Sequence, residues 1–309
     1  MTIIFMGTPD FAIPSLTMLI ASDNTMLGVV TQPDRPRGRS MTSQPPPVKR
    51  LAVQHGLPVL QPEKVKEDNF IQWLRSQNPD LIVVVAFGQL LPPKVLNIPS
   101  SGCINLHASL LPDYRGAAPI NWALMNGEKT TGVTTIRMNE WMDAGDVFLQ
   151  REATIEQDDD ALTLSQRLST LGAKLLLETI HQLKRGILTP MPQNHSQASY
   201  APALKKEDGR IDWGNNAWSI HNRIRGTLPW PGAFTNLENK RLKIFKSEVV
   251  ECTSKDSPGT ISHISKDGIK VATGKGCLLI TDIQLQDRKR MNVAEFIRGH
   301  PLPIGTMLT

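Results

Sequence analysis

The chain has three cysteines in 309 residues, Cys103, Cys252 and Cys277. The number is odd and no two are closely spaced, so neither a disulfide framework nor a cysteine-rich metal site is expected, and all three read as buried thiols. Long apolar runs are also missing. No stretch approaches the roughly 18 residues that a membrane span needs, and Ile3-Ile4-Phe5-Met6 is too short, with no charge before it, for a signal peptide. A cytosolic protein is expected. The first glycine turn, Gly7-Thr8-Pro9-Asp10, lacks the Gly-x-Gly-x-x-Gly that lets backbone approach a pyrophosphate, which argues against a nicotinamide-dependent dehydrogenase, and no NAD is expected. No His-x-x-x-His spacing occurs, and His107, Asp143 and Asp146 would need a further ligand or several waters, so no metal is expected.

The overall charge surplus is small, but it is unevenly spread. Residues 1–204 carry 17 Lys and Arg against 18 Asp and Glu, whereas residues 205–309 carry 17 against 11. A basic C-terminal third suits a polyanionic partner held through its phosphates; a surface selected for solubility would look the same. At this length, with 40% hydrophobic residues, the chain can bury a sizeable core and two domains are expected.

Apolar runs alternate with helical patterns through the first half. Residues 2–6, 26–31 and 81–87 read as strands; residues 11–20, 47–55, 67–77 and 161–185 have helical spacing. The strands lack polar alternation, as strands buried on both faces do, and the expectation is an α/β domain with a doubly wound, mostly parallel, Rossmann-like sheet. Proline, glutamine, asparagine and serine then mark a linker. Short β-rich segments punctuated by Asn239-Lys240, Asp267-Gly268 and Gly274-Lys275-Gly276 follow, and they predict a small C-terminal β-barrel of the oligonucleotide-binding type, preceded by a helix near 216–225. The divisions are 1–189 for a catalytic domain, 190–206 for the linker and 207–309 for the barrel.

The densest chemistry lies between Ile104 and Gly116. Residues two apart on a strand share a face, so Asn105 and His107 point one way and Ile104 and Leu106 the other, before Pro112 breaks the run into a polar loop. Ligands of open parallel sheets bind at such carboxyl ends. A second constellation, Met142-Asp143-Ala144-Gly145-Asp146, offers a carboxylate in a glycine turn after a strand at 132–138. Cys103 shares the face of Asn105 and His107 and imitates a thiol protease, but residues four apart on a strand are separated by about 13 Å, too far for a thiol–imidazole pair.

Together these residues resemble the formyltetrahydrofolate-dependent formyltransferases. The run Gly102-Cys103-Ile104-Asn105-Leu106-His107-Ala108-Ser109-Leu110-Leu111-Pro112, Tyr114-Arg115-Gly116-Ala117-Ala118-Pro119-Ile120 and the Asp143 turn carry the likeness. Phe5-Met6-Gly7-Thr8-Pro9-Asp10-Phe11-Ala12 and Thr31-Gln32-Pro33-Asp34-Arg35-Pro36-Arg37-Gly38-Arg39 narrow it to the members that act on tRNA; Pro229-Trp230-Pro231-Gly232-Ala233-Phe234 matches in the second domain. The resemblance implies transfer of a formyl group from 10-formyltetrahydrofolate to the α-amino group of methionyl-initiator tRNA, for initiation of translation, with Asn105, His107 and Asp143 catalytic. Asn105 and His107 would supply N–H donors to an oxyanion and Asp143 would orient His107 and relay protons.

By the same resemblance the folate lies against Ser109, Leu110, Leu111 and Pro112, with the backbone of Val85, Ala86, Phe87 and Gly88 as the opposite wall. The arginine- and proline-rich loop 32–50, which has no aromatic residue, places Arg35, Arg37, Arg39, Lys49 and Arg50 against the acceptor stem, and Arg223 and Arg225 join them from the helix. Trp218, at helical spacing from Ile224, reads as core. A monomer without membrane attachment is expected. Two alternatives remain: a folate-dependent transferase acting on a sugar-nucleotide amine, against which the basic loop argues, and a non-catalytic tRNA-binding protein, which leaves Asn105, His107 and Asp143 without a purpose.

Overall fold

The purely apolar runs form the middle of a sheet, as burial on both faces requires. The computed structural model describes residues 1–37, 42–252 and 256–309. In chain order its elements are β1 (Thr2–Gly7), α1 (Ile13–Ile20), β2 (Thr25–Val30), β3 (Arg35–Arg37), β4 (Thr42–Gln44), α2 (Pro47–Gln54), β5 (Val59–Leu60), α3 (Asp68–Gln77), β6 (Leu81–Val85), α4 (Pro93–Leu96), β7 (Cys103–His107), α5 (Pro119–Asn126), β8 (Thr130–Arg137), β9 (Val147–Thr154) and α6 (Ala161–Lys184). Then come α7 (Ala217–Gly226), β10 (Ala233–Leu237), β11 (Lys240–Val250), β12 (Ile261–Ser265), β13 (Gly268–Ala272), β14 (Cys277–Leu285), β15 (Met291–Asn292) and α8 (Val293–Gly299). Contacts divide the chain into two units, Met1–Pro119 with Thr130–Thr154 and Ser165–Ala201, and Ile120–Lys129 with Ile155–Leu164 and Pro202–Thr309.

In the first unit the strand order is β5-β2-β1-β6-β7-β8-β9. β5 through β7 are parallel, and β8 and β9 continue the sheet antiparallel, so it is mostly parallel as expected. The chain leaves β1 toward β2 on one side and returns as β6 on the other, which puts the switch point between β1 and β6. The two strands close tightly there: a Cβ on Gly7 would lie 2.9 Å from the Val85 carbonyl oxygen. On β7, Leu106 packs over Gly172 of α6, where a Cβ would meet Leu106 Cδ2 at 2.7 Å. Cys103, on the opposite face, joins a cluster with Ile71, Leu74, Val84 and Phe87.

Three local features take shape only in the fold. Within 32–50, β3 and β4 pair as an antiparallel ribbon, and α2, on the segment with helical spacing, buries Pro47, Val48 and Ala52. Residues up to Ala201 of the polar stretch read as a linker belong to the first unit. Cys252 and Cys277 are joined by a disulfide, with Cα atoms 5.1 Å apart, instead of standing as separate thiols. Cys252 lies two residues beyond Val250, the ladder partner of Cys277, so strand pairing unites cysteines 25 positions apart.

The second unit is an antiparallel sheet, β10-β11-β14-β13-β12, with β15 added to β14. Residues near the chain end bridge both edges, Leu308 to Leu237 and Met307 to Thr260, and close the sheet on itself. Its interior holds Ile244, Val271, Leu278, Ile280 and Ile283 together with Ile220 and Ile224 of α7. The Asn216 side chain caps α7 by accepting from the Ser219 N–H at 2.9 Å. Trp218 does not join this core: it is 52% exposed, edge-on to His221. Among the described residues, no helix is long and apolar enough to cross a membrane.

Candidate active site

Asn105 and His107 occupy one face at the carboxyl end of β7, and the turn after β8 brings Asp143 to them. The Asn105 amide Nδ2 donates to Asp143 Oδ1 at 3.3 Å, and His107 Nδ1 lies 3.6 Å from the same oxygen. Asp143 Oδ2 accepts from the Gly116 backbone N–H at 2.9 Å. The other ring nitrogen, His107 Nε2, stands 2.9 Å from the Tyr114 carbonyl oxygen. A carbonyl only accepts, so Nε2 carries hydrogen and the Nδ1 edge is the one turned to the carboxylate. All three predicted residues therefore meet on one carboxyl group. The sequence does not single out the Tyr114 carbonyl and the Gly116 N–H, which complete the arrangement.

Backbone geometry explains the turn. Asp143 has φ +51°, a left-handed conformation that a short polar side chain tolerates. A side chain at Gly145 would collide with the Arg137 carbonyl, so only glycine brings the turn this close to β8. Asn139 Oδ1 accepts from the Trp141 N–H at 3.0 Å and rounds the preceding bend, leaving Trp141 and Met142 exposed. Burial pushes the Cys103 thiol up to about 12, so it is no nucleophile at neutral pH. Among the described residues no group of three or more His, Cys, Asp or Glu is placed to hold a metal ion.

The predicted folate residues divide into those that reach the surface and those that shape the loop. Ser109 and Leu111 are 1% and 4% exposed. Ser109 Oγ donates to the Asp113 carbonyl at 2.6 Å, and Thr134 Oγ1 donates to the Ser109 carbonyl at 2.6 Å while accepting from the Leu111 N–H at 3.1 Å. Gln150 Nε2 adds a bond to the Leu111 carbonyl at 2.8 Å. These partners hold the loop in shape, and Leu110 and Pro112 keep accessible surface. On the opposite wall Val85 and Phe87 are buried, whereas Ala86 and Gly88 are exposed at φ +48° and +90°. The Phe87 carbonyl accepts from Thr8 Oγ1 at 3.0 Å and Gln32 Nε2 at 3.2 Å. A cavity of about 480 Å³ is lined by Lys64, Lys66, Gln89, Leu90, Pro92 and Glu140 among others.

The predicted phosphate contacts fare differently from one another. Arg35 and Arg50 are exposed. Arg37 lies on β3, paired through its backbone with Thr42, and Arg39 falls outside the described residues. Lys49 donates to Asp34 at 2.7 Å and to Gln61 Oε1 at 2.7 Å, and the Lys49 bond together with one from Gln61 Nε2 to Asp34 Oδ1 at 2.7 Å holds the Asp34 carboxyl below its ordinary value. Both arginines of α7 are used inside the second unit. Arg223 Nη1 donates to the Asp208 carbonyl at 2.7 Å, and Arg225 donates to Asn222 Oδ1 at 2.9 Å and to the Glu156 and Asp159 carbonyls at 3.2 and 3.1 Å. Their positions at a helix end suited RNA in the sequence; the carbonyls within their reach came from distant segments.

Comparison with known proteins identifies the family. The formyl transferase family model matches residues 1–180, and the model for the formyl transferase C-terminal domain matches residues 203–301. A methionyl-tRNA formyltransferase of Citrifermentans bemidjiense is 51% identical over 308 residues, covering 100% of this chain and 96% of its own; one from Caldanaerobacter subterraneus subsp. tengcongensis is 50% identical, covering 100% of both. Among solved structures, an N-formyltransferase of Helicobacter canadensis with folinic acid and dTDP-3-aminofucose has a TM-score of 0.65 at 16% identity, over 94% of this chain and 99% of that one. HypX from Aquifex aeolicus with tetrahydrofolic acid has a TM-score of 0.66 at 20% identity, over 99% of this chain and 50% of that longer one. Likeness at that identity shows the fold alone, but the family models span nearly the whole sequence, and this chain belongs to the formyl transferase family.

Proposed function

We propose that this chain transfers the formyl group of 10-formyltetrahydrofolate to the α-amino group of methionyl-initiator tRNA, with Asn105, His107 and Asp143 as its catalytic residues. The observation that carries the chemistry is the convergence of the Asn105 amide, the His107 Nδ1 edge and the Gly116 N–H on the Asp143 carboxylate. Full-length identity near 50% to methionyl-tRNA formyltransferases supports the choice of amine. The exposed faces of Ala86, Gly88, Leu110 and Pro112 would receive the formyl donor as substrate.

The amine nitrogen attacks the formyl carbon, and negative charge develops on the formyl oxygen. In the free protein Asn105 Nδ2 and the His107 Nδ1 edge both face Asp143 Oδ1; with Nε2–H given to Tyr114, His107 donates to the developing oxyanion from Nδ1 as the doubly protonated imidazolium, beside the Asn105 amide. Tyr114 fixes the ring from the other side. Asp143 accepts the proton that the attacking amine loses and passes it to the folate nitrogen as its bond to the formyl carbon breaks, so no covalent enzyme intermediate is required. An α-amine titrates near about 7.7 to 8.0, and lower still in an aminoacyl ester, so a useful fraction is nucleophilic at neutrality. The reaction sets the protein in the cytoplasm, with charged tRNA.

Formyl transfer to charged initiator tRNA, elongator tRNA and a sugar amine from the same donor tests the reading. Asn105→Ala and His107→Ala are each expected to lower kcat on the order of 100-fold or more. Activity within about threefold of wild type in both would refute the donor assignment, and faster formylation of the sugar amine would overturn the substrate.

A further inference from the structure

The segment after Thr189 has the composition of a linker, yet one of its side chains is built into the catalytic turn. Gln193 is 7% exposed, and its amide is fully used. Its Nε2 donates to the carbonyls of Asp143 at 2.9 Å and Gly145 at 2.7 Å. Its Oε1 accepts from Arg115 Nε at 3.2 Å and Nη2 at 2.7 Å. Arg115 is 4% exposed and also reaches His195 Nδ1 at 3.0 Å. Its backbone is laced to the same segment, its N–H to the Ser199 carbonyl at 2.9 Å and its carbonyl to the Ala201 N–H at 2.7 Å.

The residues flanking Arg115 matter most here. Tyr114 holds His107, and Gly116 holds the Asp143 carboxylate. Gln193 thus ties the backbone of the Asp143 turn to the segment that orients both the carboxylate and the imidazole. A primary amide suits this position because it offers two donors to two carbonyls and one acceptor to a cation; a carboxylate would supply the acceptor and neither donor. The turn it holds contains a residue at positive φ, which surrounding contacts must sustain.

We propose that Gln193 is a positioning residue for formyl transfer, clamping the Asp143 and Gly145 carbonyls to Arg115 so that the Asp143 carboxylate stands correctly before Asn105 and His107. The inference rests on Asp143 being catalytic. Displacement of a reacting group by about 1 Å can cost on the order of 100-fold in rate without weakening binding.

The test is steady-state transfer from 10-formyltetrahydrofolate to charged initiator tRNA by Gln193→Ala and Gln193→Glu, each also made on an Asp143→Asn background. Gln193→Glu keeps the acceptor for Arg115 and so protects the fold if the alanine variant is unstable. Each single variant is expected to lose about 10- to 100-fold in kcat with both KM values within about threefold. On the Asp143→Asn background the further loss is expected to fall below about twofold, since a residue acting through Asp143 has nothing left to position. Unchanged kcat in a folded variant, or the same loss on both backgrounds, overturns the clamp and leaves a structural role. Wild-type kcat in Asp143→Asn alone overturns the reading of the site, and the clamp with it.

Discussion

Two stretches of this chain look alike in composition and differ in what they do. Residues 32–50 and 189–202 are both rich in proline and polar side chains, and neither has the pattern of a strand or helix over its full length. In the first, Arg35 and Arg50 stand exposed, and the ion pair of Lys49 with Asp34 is formed within the stretch. In the second, Gln193, Ser199 and Ala201 bond to Asp143, Gly145, Tyr114 and Arg115, all from earlier in the chain. A polar side chain is a functional contact or a brace according to where its hydrogen bonds end, and composition is silent on that.

The largest expected effect tests the brace. Gly116 has φ +123°, and a Cβ there would lie 2.6 Å from the Ala201 carbonyl oxygen. Gly116→Ala is therefore expected to displace the N–H that holds Asp143 and to lower kcat by about 100-fold or more, with a lower melting temperature. Transfer within about threefold of wild type would erase the distinction between the two stretches.

Removing the exposed cations of the other stretch is expected to act on binding alone. Arg35→Ala and Arg50→Ala should each raise the KM for tRNA by about 3- to 10-fold and flatten its salt dependence by about one phosphate contact, with kcat and melting temperature unchanged. A fall in kcat with constant KM would move this stretch into the catalytic machinery.

The smallest effect sharpens the contrast from inside the ion pair. Asp34→Asn frees Lys49 and is expected to tighten tRNA binding by about twofold, with a steeper salt response. The Asp34 carboxyl is held below its ordinary value by Lys49 and Gln61, so it stays charged in the wild type as pH falls through the usual carboxylate range. The advantage of Asp34→Asn should thus persist from pH 8 to pH 5 and vanish only in stronger acid, where Asp34 takes up its proton and the wild type also releases Lys49. Titration of affinity against pH in both proteins checks this.

How much of the site could be read in advance depended on which atoms do the work. Asn105 and His107 were legible because strand alternation is a local rule, and Asp143 because a carboxylate in a glycine turn is visible as a residue type. The Tyr114 carbonyl and the Gly116 N–H were not, since every residue carries such groups and only folding aims them. Ser109 and Leu111 fell on the predicted folate loop but are buried, because Thr134 and Gln150 of the neighbouring strands draw that loop inward. Arg223 and Arg225 show the same limit: a helix pattern shows where a guanidinium starts, not which carbonyls lie within its reach.

The order of apolar runs and glycine turns by itself determined a parallel sheet with its chemistry at the strand ends, because burial on both faces and a period of two are properties of short segments. It also determined which side chains could serve as donors and carboxylate. Tertiary structure alone decided that three of them share one carboxyl group, that a polar stretch beyond Thr189 bonds to the backbone of the turn carrying it, and that cysteines 25 positions apart are bonded. Those outcomes depend on contacts between segments far apart in the chain, and no local pattern encodes a distance across the fold.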